Sequence, residues 1–198
     1  MEIIKTEQNT TTLHTNAPLV LDNGEILDDL SIRYTTYGKL NATKTNVVWV
    51  FHALTANSDP MEWWPGVVGD GEVINPDEHY IVCANMLGSC YGTTGPKNHK
   101  FPLITIADMV SAHKILRKHL GIRKIHLGIG GSMGGQQLLE WAVQEPELFE
   151  KIVPLATNAF HSPWGIAFNE AQRMALENID PSKGLETARA IAMLSYRS

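Results

Sequence analysis

Four short, nearly unbroken apolar runs, at residues 46–51, 80–84, 125–129 and 151–156, punctuate the chain and limit what it can fold into. A strand with one wet face alternates apolar and polar side chains, whereas a strand buried on both faces does not, and such strands belong to parallel sheets covered by helices. The intervening segments carry helical periodicity. Ile106, Met109, Val110, Leu116 and Leu120 recur at helical spacing until Gly121, a residue suited to a helix stop, and Leu138, Leu139, Trp141 and Ala142 line a second helix within residues 134–149. Strands alternating with helices predict βαβ units in an α/β fold with a doubly wound, mostly parallel sheet. Residues 18–38, two extended stretches around Asp22-Asn23-Gly24, predict a β-hairpin ahead of it. Beyond Thr157 the strand signal stops; Ile166, Phe168, Met174, Leu176, Leu185, Ile191 and Leu194 follow helix-like spacing broken at Asp180-Pro181. The expected organisation is a sheet core over residues 1–160 and a helical lid segment over 161–198. The chain closes inside a helical stretch without a final strand, so both parts are expected to be incomplete, with the C-terminal part of the fold missing.

Charge narrows the partners. A formal charge of −5 with lysine and arginine scattered along the chain offers no local basic block for a phosphate backbone or an anionic membrane. No nucleic acid and no membrane partner is expected, and with no leader-like apolar stretch at the N-terminus a cytoplasmic location is the default. Cys83 lies in an apolar run and reads as core, while Cys90 sits in a glycine-rich turn; two cysteines make no disulfide framework.

The chemistry concentrates at Gly130-Gly131-Ser132-Met133-Gly134, a G-x-S-x-G sequence between the third apolar run and the second helix. Only glycines beside the serine permit so tight a strand-to-helix turn, which leaves the serine in a strained conformation with its hydroxyl exposed. The helix start adds free N–H groups and the positive end of the helix dipole. A phosphate-binding glycine loop is the rival reading, but the motif stands two-thirds along the chain and no acidic ribose ligand follows a later strand. A nucleophilic serine needs donors for the oxyanion: the Met133 N–H, next after the nucleophile, and the Leu54 N–H, in the loop after residues 46–51, are the candidates. His52 precedes the nucleophile and belongs to that loop, so it is not assigned as the base.

Further motifs carry a family resemblance. His52-Ala-Leu-Thr55, Tyr91-Gly-Thr-Thr-Gly-Pro96, Phe101-Pro-Leu-Ile-Thr-Ile-Ala-Asp-Met109, Gly130-Gly-Ser-Met-Gly-Gly135 with Leu139-Glu-Trp-Ala142, and Ala167-Phe-Asn-Glu170, in this order, resemble the homoserine O-acetyltransferases of methionine biosynthesis. The resemblance implies an α/β-hydrolase core with a helical lid, a homodimer, no metal and no bound cofactor. It implies that Ser132 attacks the acetyl-CoA thioester and that L-homoserine accepts the acetyl group from the acyl-serine. It also implies that Arg189 pairs with the amino-acid carboxylate and that Tyr196 lines the same pocket; both would share one face of a helix.

A serine hydroxyl needs a base, and in this fold the order is Ser, then Asp or Glu, then His. After Ser132 the sole histidine is His161 and the sole aspartate Asp180, in the wrong order, so neither is assigned. The catalytic Asp and His are expected beyond residue 198, and the 198-residue chain is expected to have little transferase activity on its own. Four other readings stay open: a succinyl-CoA donor, L-serine as acceptor, an esterase of the same fold, and a non-catalytic binding domain.

Overall fold

The computed structural model describes residues 8–97, 100–178 and 180–195. The chain divides into two compact units, Met1–Asn158 and Ala159–Ser198.

The first unit is built on a six-stranded sheet. Its strands are β1 (Gln8–Thr15), β4 (Leu30–Tyr37), β5 (Val47–Phe51), β6 (Tyr80–Ala84), β7 (Ile125–Gly131) and β8 (Phe149–Leu155), in the order β1-β4-β6-β5-β7-β8. β6, β5, β7 and β8 run parallel, and β4 and β1 join antiparallel at one edge. The four apolar runs are the four parallel strands, and every residue of β5 is buried, but the expectation of burial on both faces fails for β8, which ends the sheet and is exposed from Glu150 to Leu155. The expected hairpin is smaller than the sequence implies: β2 (Leu19–Val20) and β3 (Ile26–Leu27) form a separate two-stranded ribbon, and β4 continues into the main sheet. The polar N-terminal stretch Gln8–Thr15 is a strand, which its exposure at the sheet edge and its threonine run accommodate.

A short helix α1 (Pro60–Trp63) follows β5. Helices α2 (Ile106–His119) and α3 (Met133–Gln144) cover one sheet face. There Trp49, Phe51, Val110, Leu116, Leu138 and Trp141 form a core in which Trp49 meets Trp141 edge-on, ring centres 5.3 Å apart. Tyr37, Val48, Val50, Ile81, Cys83 and Ile129 form the core of the other face. α3 stops short of the predicted residue 149 because Glu145 precedes Pro146 and leaves the helical region, at φ −133° and ψ 74°. In the second unit α4 (Pro163–Asn178) and α5 (Pro181–Ser195) pack where Gly184 lets the chains approach; a Cβ there would lie 2.8 Å from the Ala175 carbonyl oxygen. Among the described residues no helix is long and apolar enough to cross a membrane.

Candidate active site

The chain leaves β5 to build β6 on one side and returns to build β7 on the other, so the connections diverge between β5 and β7. In an open parallel sheet that divergence opens a crevice at the C-terminal strand ends, where ligands bind. Phe51 and Gly130 are paired across it, so the loop that holds Leu54 and the turn that holds Ser132 emerge side by side.

Ser132 is the N-cap of α3, exposed, at φ 53° and ψ −124°, a region L-residues avoid. Close packing enforces the turn. A Cβ on Gly134 would lie 2.2 Å from the Phe51 carbonyl oxygen and one on Gly130 2.7 Å from that of Gly134, so α3 sits against the end of β5 only because both side chains are absent. The Ser132 hydroxyl caps no helical N–H, and among the described residues it has no hydrogen-bond partner. Met133 opens the helix, so its N–H has no intrahelical acceptor. Leu54, 64% exposed, lies in a turn closed by the Ala56 N–H to Ala53 carbonyl bond at 3.0 Å; among the described residues its own N–H is not engaged.

His52 has a different task. Its Nε2 accepts the Met86 N–H at 3.1 Å and its Nδ1 lies 2.8 Å from the Ala53 carbonyl oxygen, which makes Nδ1 the protonated nitrogen. Burial pushes its pKa down, against the Ala53 hydrogen bond that raises it. It is a neutral tie between the loops after β5 and β6, not a free base. His113, the other buried histidine of this unit, is held by Trp49 and Gln137 inside the core. Other quoted motifs are scaffolding. Thr105 and Asp108 form the capping box of α2, and Asp108 also accepts the Asp22 N–H at 2.7 Å. Thr93 bridges the Arg33 N–H and the Asn85 carbonyl, fastening the loop after β6 to β4.

Arg189 is exposed on α5, in the second unit, with no hydrogen bond or ion pair among the described residues. Tyr196 lies outside the described residues. His161 belongs to the second unit, where its Nε2 faces the Asn169 amide at 3.0 Å. Among the described residues no three His, Cys, Asp or Glu side chains gather as metal ligands. A cavity of about 850 Å³ lies at the opposite, N-terminal ends of β5 and β7. Lys114, Arg117, Lys118, Arg123 and Lys124 come from the end of α2 and the turn after it, a local basic stretch at odds with the expectation of scattered charge, and the fold adds Lys44; Glu145 pairs with Lys114 at 3.4 Å and Arg117 at 2.9 Å. Ser132 is not among the residues that line the cavity.

A strand, a strained serine and a helix at the switch point of a parallel sheet define the α/β-hydrolase class, and the chain belongs to that fold family, whose model matches residues 46–181. Within it, the sequence is similar to the homoserine O-acetyltransferase of Cyclobacterium marinum, 50% identical over 198 aligned positions that cover 90% of this chain and 56% of that protein. The structure is similar to homoserine O-acetyltransferase from Staphylococcus aureus, with a TM-score of 0.86 at 30% identity over 97% of this chain and 59% of that one. It is also similar to an acetylester hydrolase from Corynebacterium glutamicum, with a TM-score of 0.83 at 25% identity over 92% of this chain and 57% of that one. The chain thus spans little more than half the length of these relatives.

Proposed function

We propose that the chain carries the acyl-serine machinery of a homoserine O-acetyltransferase. Ser132 Oγ attacks the thioester carbon of acetyl-CoA, the C–S bond breaks, and CoA leaves as the thiol with the serine proton. The side-chain hydroxyl of L-homoserine then attacks the acetyl-serine, the ester passes to homoserine, and a proton returns to Ser132. The Leu54 and Met133 N–H groups stabilise the oxyanion of both tetrahedral intermediates. The observation that carries this reading is the exposed, strained Ser132 at the switch point beside two unengaged N–H groups. The choices of acetyl over succinyl and of homoserine over serine rest on the similarity to the two homoserine O-acetyltransferases above.

On this reading Arg189 takes the amino-acid carboxylate as a bidentate partner, no cofactor is resident, and the whole enzyme is a cytoplasmic homodimer serving methionine biosynthesis. Because Ser132 Oγ has no hydrogen-bonded base among the described residues, turnover of acetyl-CoA by the 198-residue chain alone is slow. A reactive ester, whose good leaving group needs less help, still labels Ser132. The similarity to the acetylester hydrolase supports an esterase as the second reading.

One experiment separates them. p-Nitrophenyl acetate should give a single acetyl adduct by intact mass, absent from Ser132→Ala, and L-homoserine should discharge it faster than water does. Equal discharge with and without L-homoserine favours the esterase. No adduct at Ser132 would overturn serine catalysis in favour of a binding domain.

A further inference from the structure

The peptide between Ser132 and Met133 carries the oxyanion N–H of the proposed function, on which this inference rests. A trans peptide is planar, with its C=O and N–H pointing in opposite directions, so whatever holds the Ser132 carbonyl also aims the Met133 N–H. Two donors hold that carbonyl. One is the Gln136 N–H at 3.1 Å, an ordinary helical bond. The other comes from outside the helix: the Thr157 hydroxyl donates to it at 2.7 Å.

Thr157 is delivered there by its own strained turn. It follows Ala156, at φ 44°, just beyond β8. Its methyl group occupies the space a side chain at position 135 would need, since a Cβ on Gly135 would lie 2.6 Å from Thr157 Cγ2 and 2.8 Å from Thr157 Cβ. The segment is tied to the serine turn twice more. The Ser132 N–H donates to the Leu155 carbonyl at 3.0 Å, and Gln136 Nε2 donates to Asn158 Oδ1 at 3.0 Å.

We infer that Thr157 is a positioning residue of the serine chemistry: its hydroxyl holds the Ser132–Met133 peptide in the orientation that presents the Met133 N–H to the oxyanion. A backbone as strained as that of Ser132 relaxes unless its surroundings hold it. The bond to the carbonyl also polarises the peptide and strengthens its N–H as a donor. Thr157 touches neither acyl group nor acceptor and acts through the peptide alone. This also gives the second glycine after Ser132 a reason: Gly135 makes room for the methyl group.

The test exploits a sequence accident. Ser132-Met133 is the sole Ser-Met pair in the chain, so carbonyl-13C-serine with 15N-methionine labelling yields a single backbone correlation, from this peptide. Thr157→Val keeps the shape and removes the hydroxyl; Thr157→Ser keeps the hydroxyl. The expected result is that Thr157→Val moves the Ser132 carbonyl resonance upfield and slows labelling of Ser132 by a fluorophosphonate about tenfold, the rate equivalent of one net hydrogen bond. Thr157→Ser should stay close to the wild-type protein in both, and circular dichroism should show all three folded. An unmoved carbonyl resonance in folded Thr157→Val overturns the inference, as does an unchanged labelling rate. A wild-type protein that does not label at Ser132 while the resonance still moves overturns the proposed function and leaves the bracing intact.

Discussion

His113 sets a quantitative trap for acid. It is fully buried between α2, β5 and α3, stacked on Trp141 with ring centres 5.8 Å apart. Trp49 Nε1 donates to its Nδ1 at 3.3 Å, so its proton sits on Nε2, 3.0 Å from the Gln137 Oε1 acceptor. A second proton would have to enter opposite the indole N–H, and the charge would be buried in an aromatic core. Burial is accordingly the main cause that pushes its pKa from 6.5 down to about 4, with His52 adding to the drop and the Gln137 hydrogen bond opposing it. The sign follows from linkage: between those values the unfolded chain binds the proton and the folded one does not, so stability is present above pH 6.5 and is lost as pH falls toward 4. At about 1.4 kcal/mol per pH unit the loss is about 3 kcal/mol, or about 6–12 °C in melting temperature for a domain of this size. Urea unfolding of the protein and of His113→Gln at pH 7 and pH 4 measures it. His113→Gln starts less stable at pH 7 but should lose about 3 kcal/mol less on acidification. A variant that loses as much as the parent would refute the reasoning.

Two further perturbations test the turn and the loop beside it. Gly134→Ala, whose Cβ would meet the Phe51 carbonyl at 2.2 Å, should cost about 3 kcal/mol in thermal unfolding, while Gly131→Ala, whose nearest neighbour is the Leu155 carbonyl oxygen at 3.8 Å, should stay within about 0.5 kcal/mol; similar melting temperatures would contradict the packing reason given for the motif. His52→Ala strands the buried Met86 N–H and should cost at least about 1–3 kcal/mol, yet the pH profile of Ser132 labelling should keep its shape. A shifted midpoint in that profile would make His52 the base after all.

Much of the sheet was legible because its signals are local. A strand buried on both faces needs an unbroken apolar run wherever it stands, so the central strands β5, β6 and β7 could be located from residue types alone, and β8 was located by the same kind of run although its side chains are exposed at the sheet edge. The turn at Ser132 was legible for a similar reason, since close packing admits glycine and little else at positions 130 and 134. β1 was not, because an edge strand with exposed side chains carries polar residues and so reads like a loop. Nor could composition show that Lys44 joins the cations of residues 114–124 at one cavity, or that His52 binds Met86 across 34 positions of sequence.

The sequence by itself therefore determined the parallel α/β architecture and the strained turn at Ser132, because each depends on what a short segment can bury or bend. The tertiary structure alone decided that Leu54 and Ser132 emerge beside each other, that His52 is spent on a loop contact, and that Thr157 reaches the Ser132 carbonyl. Those are pairings between distant segments, settled by strand order and close packing, and no local pattern of residue types records which segments will meet.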